Sequence, residues 1–160
     1  MTIRITVAQH ERALLWRNGR FVSVVEPGVR WLLAPFNRIE VELYDLTVPE
    51  FSHARVDKML RQARATMHRH FHIVELAPQE LGLVYKNGEL SGVLEPGSRQ
   101  LYWKGPMAIR VERLAVSRNF ELPATAPFLV QEIRETLQRV AAATRKRLEE
   151  LEALERVPAV

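Results

Sequence analysis

A short frame of sequence occurs twice in this chain of 160 residues, at positions 69 residues apart. Residues 17–28 read RNGRFVSVVEPG, and residues 86–97 read KNGELSGVLEPG. Over positions 8–32 the first copy shares 11 of 25 residues with the second, and most other pairs are conservative. Because two turns and the apolar runs between them recur in the same order, the sequence predicts an internal duplication.

Each frame has the pattern of antiparallel strands. Asn18-Gly19 lies between two apolar runs and predicts a hairpin with a type I′ turn, which needs positive φ at both central residues. Pro27-Gly28 predicts a type II turn, and residues 39–43 then alternate between apolar and acidic side chains. Each frame is therefore predicted to form a four-stranded antiparallel β-meander, and the two units are expected to pack together because one small sheet buries little apolar surface.

The predicted fold class is α+β. It consists of two repeated antiparallel β-meander units that are joined by an amphipathic helix and followed by a long C-terminal helix. The predicted boundaries are 1–51 for the first β-meander, 52–72 for a basic helical connector, 73–123 for the second β-meander and 124–160 for the C-terminal helix, a candidate coiled coil.

The connector accounts for the whole net charge of +4, since it contains five basic residues and one acidic residue. The rest of the chain contains equal numbers of basic and acidic residues. We expect one helix with Ser52 or a neighbour as its N-cap. An apolar stripe is predicted from Val56 to Met67, and the basic residues fall on the remaining arc. This arc is either a solvated face or a binding face for anionic lipid, nucleic acid or an acidic protein. Its residues are Arg55, Lys58, Arg61, Arg64 and Arg69.

Three histidines at alternate positions end the connector: His68, His70 and His72. On a strand these imidazoles would share one face, which is a pattern suited to zinc, nickel or copper. They fall at a predicted helix end, where side chains two positions apart diverge. We therefore expect no metal and no cofactor, and we keep these three residues as weak metal-ligand candidates only.

The C-terminal segment is predicted to be helical, with Thr125 as a plausible N-cap and Pro127 in the first turn. Apolar residues recur at alternating three- and four-residue spacing over about four heptads. The helix is expected either to dock on its own sheets or to pack against copies of itself. The candidate oligomerisation residues are Val130, Ile133, Leu137, Val140, Leu151 and Leu154.

Motifs of common enzyme classes are missing from the sequence. It has no cysteine, only two aspartates, and no nucleophile elbow, phosphate-binding glycine loop or zinc-protease motif. We therefore expect a protein that is not an enzyme. We also expect no signal peptide and no membrane span, because no basic start precedes an apolar run and no 18-residue apolar window occurs.

The stretch from Glu11 to Pro35 resembles the opening of the stomatin/prohibitin/flotillin (band 7, SPFH) superfamily, and is most similar to bacterial slipins. The shared features are the Glu11-Arg12-Ala13 stretch, the Gly19-Arg20 hairpin, the Pro27-Gly28 turn and a leucine-rich strand that ends at Pro35. Some slipins carry this opening in tandem with a helical connector, which is similar to residues 8–123. The resemblance implies a non-enzymatic scaffold that oligomerises, often at a membrane.

The expected function is that of a cytoplasmic structural or scaffold protein that forms a homo-oligomer through its C-terminal helix. Peripheral contact with the inner face of the membrane and a separate protein partner stay open. The alternative is a binding module that uses the basic connector on anionic lipid or an acidic partner protein. Nucleic acid is the less favoured ligand, since no aromatic residues alternate with the basic ones on a strand.

Overall fold

The structure is a computed structural model that describes residues 1–115 and 127–156, with eleven β-strands and three α-helices in these ranges. The strands are Thr2–Val7 (β1), Glu11–Arg17 (β2), Arg20–Val25 (β3), Gly28–Leu33 (β4), Ile39–Asp45 (β5), Glu50–Phe51 (β6), Phe71–Glu75 (β7), Glu80–Lys86 (β8), Glu89–Leu94 (β9), Arg99–Trp103 (β10) and Ile109–Ala115 (β11). The helices are Val56–Gln62 (α1), Arg64–His70 (α2) and Pro127–Glu155 (α3).

The predicted α+β class is wrong, because strands in several small antiparallel sheets account for most of the regular structure in the described chain. The predicted β-meanders are also wrong. Consecutive strands would be neighbours in a meander, whereas the sheet orders here are β3-β2-β5 and β11-β8-β9. The third strand of each frame leaves its sheet: β4 pairs with β1, and β10 lies between β6 and β7.

The strand that precedes each frame explains this difference. In β1, Ile5 and Val7 are buried and pair with positions of β4, so β4 has an apolar partner outside the hairpin. After Pro27 the chain turns at Gly28, whose φ of +133° favours glycine, and continues antiparallel to β1. The repeated frame alone therefore does not determine the strand pairing, because β4 pairs with β1 and β10 pairs with β7, and both of these partners precede the frames.

The predicted hairpins are confirmed. Asn18 and Gly19 have φ of +51° and +75°, and Asn87 and Gly88 have φ of +51° and +83°, as a type I′ turn requires. The pairing registers are also equivalent, with one extra residue in the second strand of each hairpin, Val22 in β3 and Ser91 in β9. These two positions are 69 residues apart, which is the offset of the sequence repeat.

The described chain divides into two compact units. The first contains residues 1–74 and 99–109, and the second contains residues 75–98 and the described residues within 110–160. The second frame is thus shared between units, because its third strand, β10, belongs to the first unit. The main apolar cluster of the first unit contains Trp16, Phe51, Phe71 and Trp103, together with residues of α1 and α2.

A second cluster of the first unit lies between β1 and β2 and includes Ile5 and Leu15. The second unit has its own smaller cluster, built on Leu81, Leu83 and Leu90. The strand residues in all three clusters lie at alternate positions or in apolar runs, as expected for sheets that bury one or both faces.

The connector is two short helices instead of one. Residues Glu50 and Phe51 form strand β6, and α1 begins only at Val56, with Arg55 at the N-cap and no side-chain cap. Ser52 is therefore not the N-cap. The break lies at Ala63, whose φ of −139° is not helical. Since alanine favours helices, the break reflects tertiary packing and not local propensity.

The predicted apolar stripe of the connector is confirmed despite the break. Met59, Leu60 and Met67 are buried in the main cluster of the first unit, and Val56 and Ala63 pack against it. The two helices together therefore present to the core the residues that the sequence pattern selected.

Candidate interaction surfaces

The five basic residues of the connector do not form one equivalent set. Arg55 is half-buried, its guanidinium lies over the Trp16 ring at 4.1 Å from the centroid, and its Nη2 lies 3.7 Å from Glu40 Oε2. Arg55 thus contributes to packing in the first unit. The acidic residue of the connector, Asp57, forms an ion pair with Arg99 and does not neutralise the other basic residues.

The remaining basic residues of the connector form a more open surface. Arg61, Arg64 and Arg69 are exposed and Lys58 is half-buried, and none of the four forms an ion pair with another described residue. The residue between the helices, Ala63, redirects the chain, so this basic surface is spread over two helix axes. We call Lys58, Arg61, Arg64 and Arg69 the basic face.

The three histidines are divided between two elements. His68 and His70 lie in the last turn of α2, and His72 lies on β7. Lys104 interacts with the same helix end, where its backbone N–H donates to the His70 carbonyl over 2.8 Å and its Nζ donates to the His68 carbonyl over 2.6 Å. Within residues 1–115 and the described part of α3, no three His, Asp or Glu side chains are grouped as a metal site.

The pKa values of His70 and His72 are lower than that of an ordinary histidine. Burial is the main cause that lowers the pKa of His70, and nearby cations, among them Lys104, lower it further while Glu26 opposes them. Burial and then Lys104 lower the pKa of His72. Both shifts favour the neutral imidazole in the folded state.

The α3 helix has two parts with different surroundings. Near its middle, Thr136 is buried, and Arg139 Nη1 donates a hydrogen bond over 2.7 Å to Glu95 Oε1, just after β9. Further along, all residues from Arg145 to Arg156 are exposed. The helix therefore docks in its own unit near Thr136 and presents its last three turns to solvent.

The candidate oligomerisation residues fall partly on the exposed end. Leu151 and Leu154 are 50% and 70% exposed, and Leu148, which the heptad pattern did not select, is 46% exposed. The side chains of the other four candidates lie outside the described residues. These are Val130, Ile133, Leu137 and Val140.

An aromatic cluster with a buried histidine is a feature that sequence reasoning missed. The His53 ring stacks on Trp16 at 5.3 Å and on Phe51 at 6.1 Å between centroids. Its Nδ1 accepts a hydrogen bond from the Arg55 backbone N–H over 3.0 Å, which leaves Nε2 to donate to Glu42 Oε2 over 3.0 Å. Both ring nitrogens are thus used inside the first unit, and His53 has a structural role.

A second missed feature is an exposed apolar strand face. Val29, Trp31 and Leu33 occupy alternate positions of β4 and are 51%, 63% and 78% exposed. The sequence pattern placed VRWLL as one strand of the predicted meander and did not identify an exposed apolar face on it. Arg4 of β1 lies on the same face, with its guanidinium carbon 5.7 Å from the Trp31 ring centroid.

Comparisons of the chain with protein-family models, with curated proteins and with solved structures gave no match. In the described part of the chain, no helix has both the length and the apolar character that crossing a membrane requires. The surfaces described above therefore have to be interpreted from their own chemistry.

Proposed function

We propose that the chain is a non-enzymatic scaffold protein, similar in role to the slipins, that self-associates through the exposed end of α3. In this proposal it acts in the cytoplasm, and any membrane contact is peripheral. The observation that carries the proposal is the exposure of Leu148, Leu151 and Leu154 within two turns of one helix. Isolated exposed leucines are ordinary, whereas three within two turns of a helix form a surface that a second helix can cover.

The energetics support a helix–helix contact of moderate strength. Full burial of one leucine side chain contributes about 1.5–3 kcal/mol, and association offsets part of this gain through lost freedom of motion. Charged residues surround these leucines, among them Arg145, Lys146, Glu149 and Glu150. Their mixture of both signs allows opposite charges to meet across two helices.

Light scattering coupled to size exclusion of the full chain tests this proposal. We expect an oligomer at micromolar concentration and a smaller species for the double variant Leu151→Glu/Leu154→Glu. Ala153→Glu is the control, because it adds a negative charge at an exposed position of the same turn without removing a leucine. An unchanged mass for the double variant would exclude this end of α3 as the self-association surface.

The second candidate function is binding of an anionic lipid surface or an acidic protein by the basic face. It is favoured by one observation, the exposure of Arg61, Arg64 and Arg69 without an ion pair to any described residue. Such cations attract anionic surfaces, and salt screens the attraction. We expect flotation with vesicles rich in phosphatidylglycerol to weaken from 50 to 300 mM salt, because the Debye length shortens from about 14 to about 6 Å over this range.

A matched pair of variants separates this surface from general charge loss. Arg61→Gln/Arg64→Gln should reduce vesicle binding, whereas Arg17→Gln/Arg20→Gln removes the same charge from the ends of the strands at the first hairpin. Equal loss of binding in both double variants would show a response to net charge alone, and the basic face would then have no specific role.

A further inference from the structure

The two-stranded ribbon that β1 and β4 form has one exposed and largely apolar face. On β4 this face carries three residues that are more than half exposed: Val29, Trp31 and Leu33. The β1 residues directly opposite them, which share the same face, are also exposed: Thr6, Arg4 and Thr2. Of these six residues only Arg4 is charged, and none is acidic. We call them the β1–β4 face, and an exposed apolar patch of this kind commonly marks a binding surface.

The repeat shows how the equivalent ribbon of the second frame is covered. β7 corresponds to β1 at the repeat offset of 69, and β10 pairs with β7 as β4 pairs with β1. Phe71, which corresponds to Thr2, is buried in the main cluster of the first unit together with Trp103 of β10. That cluster also contains three buried residues of α1 and α2: Met59, Leu60 and Met67. In the second frame, therefore, this kind of face shares a cluster with apolar helix side chains.

The exposed end of α3 is complementary to the β1–β4 face in charge. Residues 148–155 contain three exposed leucines and four glutamates, and they contain no lysine or arginine. The basic residues of this end lie on either side of that stretch, at 145–147 and at 156. The β1–β4 face has one cation, Arg4, and no acid. An acidic helix end with exposed leucines therefore matches an apolar face with a cation, and such complementarity selects between partners.

The two surfaces also match in size. Leu148 and Leu154 are six residues apart, which is about 9 Å along a helix axis. Val29 and Leu33 are four residues apart, which is about 13 Å along a strand. A helix about 10 Å in diameter covers the width of two strands that lie about 4.8 Å apart. One helix end along the ribbon can thus bring its leucines against the whole β1–β4 face.

We propose that the exposed end of α3 packs on the β1–β4 face of a second copy of the chain. A second copy is the occupant because both surfaces are exposed within one chain. Since this contact uses the end of α3, it rests on the proposed function, and it gives α3 a strand face instead of a second helix as its partner. Pairing of two α3 ends would leave Trp31 open, whereas this contact covers both surfaces. It joins different surfaces of two copies, so it continues from copy to copy into a ring or a filament.

A mixture of two variants tests this contact. Leu151→Glu/Leu154→Glu removes the apolar end of α3 and keeps the β1–β4 face, whereas Leu33→Glu disrupts the face and keeps the helix end. We expect each variant alone to be monomeric by light scattering. An equimolar mixture should contain a complex of about twice that mass, because one copy supplies an intact face and the other an intact helix end. Pairing between two α3 ends would give no such complex.

Control variants separate the β1–β4 face from other effects. Val48→Glu changes an apolar residue that is 61% exposed, in the turn after β5, and should keep the oligomer of the natural chain. Trp31→Thr repeats the test of the face with a residue that favours strands, and circular dichroism verifies that each variant is folded.

Cross-linking identifies the two surfaces directly, because the sequence contains no cysteine. Leu33→Cys and Leu151→Cys are made as separate chains, one of which carries a tag that changes its mass. We expect a bismaleimide to join position 33 of one chain to position 151 of the other about tenfold faster than it joins two chains that both carry Leu151→Cys, since only the first pair is held together.

Either of two outcomes would overturn the inference. One is an unchanged mass for both Leu33→Glu and Trp31→Thr, with no complex in the mixture. The other is faster linkage between two thiols at position 151, which would show that α3 pairs with α3. Failure of the proposed function is distinct, because it appears as an unchanged mass in Leu151→Glu/Leu154→Glu alone.

Discussion

The guanidinium of Arg55 lies 4.1 Å from the centroid of the Trp16 ring, and the same side chain approaches Glu40. The sequence pattern placed Arg55 with the other basic residues of the connector on a candidate anion-binding face. The structure instead places it on the aromatic cluster of the first unit, where it closes one side of a fully buried tryptophan.

Replacement of Arg55 by alanine should therefore affect stability more than binding. We expect Arg55→Ala to lower the free energy of unfolding by about 1–2 kcal/mol, since a cation–π contact of this kind contributes about that much and the aliphatic stem also packs. Urea denaturation measures the change. Arg64→Ala, at an exposed position, should change it by less than about 0.5 kcal/mol. An equal effect of the two replacements would contradict the assignment.

The two hairpin turns provide a second prediction. Gly19→Ala and Gly88→Ala should each lower the free energy of unfolding by about 1–2 kcal/mol, because both glycines have positive φ, at which a Cβ is strained. At neither position does a Cβ meet another atom within 4 Å, so the cost lies in the backbone.

Gly92→Ala is the control for this prediction. This glycine lies in β9, a Cβ there also meets nothing within 4 Å, and its φ is not positive. We expect no loss of stability and a small gain, since alanine restricts the unfolded chain. A similar loss at all three glycines in thermal denaturation would show that the turn conformation is not the cause.

These turns also mark the part of the fold that the sequence could predict. Type I′ turns, the strand pairs across them and the apolar stripe of the connector are local features, and each follows from residue type and spacing. The partners of β4 and β10 do not. They depend on strands outside the frame, and the choice between adjacent and distant strands depends on tertiary packing.

The surfaces divide in the same way. The exposed end of α3 followed from helical periodicity, although Leu148 was missed because the heptad was counted through Arg147. The role of His53 could not be predicted, since it requires that Phe51, Trp16 and Glu42 meet around one ring. Nor could the open face of β4, on which Val29, Trp31 and Leu33 are exposed.

The lowered pKa values of His70 and His72 predict a dependence of stability on pH. Well above pH 6.5, the ordinary pKa of histidine, both side chains are neutral in the folded and the unfolded chain and do not affect the free energy of unfolding. Below that pH the unfolded chain binds protons that the folded chain binds less readily, so the free energy of unfolding should fall from about pH 7 to pH 5.

Chemical denaturation at several pH values tests this dependence. The variant His70→Gln/His72→Gln should show a flatter decline over this range, and His68→Gln, at an exposed position, should follow the natural chain. The Asp45 carboxyl affects stability only at lower pH than the histidines. Its pKa is lowered mainly because the Thr47 backbone N–H donates a hydrogen bond to it. A decline that is equally steep in the double variant would exclude the two histidines as its source.

The repeat also predicts a pair of equivalent side-chain contacts at the start of each frame. Glu11 accepts a hydrogen bond from the Ala8 backbone N–H over 3.1 Å, and Glu80 accepts one from the Ala77 backbone N–H over 3.2 Å. In the opposite direction, each glutamate backbone N–H donates to the carbonyl of the same alanine. This reciprocal turn explains why the glutamate is identical in both copies, whereas the alanines contribute only backbone atoms.

Removal of either carboxylate should open this turn. We expect Glu11→Ala and Glu80→Ala each to lower the free energy of unfolding by about 1 kcal/mol, as for a charge-assisted hydrogen bond to backbone. Glu80 also lies 3.5 Å from Arg113 Nη1, so a double-mutant cycle with Arg113→Ala separates this partly exposed ion pair from the turn. A coupling energy equal to the whole loss of stability in Glu80→Ala would mean that the turn contact contributes nothing at Glu80. The two frames would then be equivalent in structure but not in stability at this position.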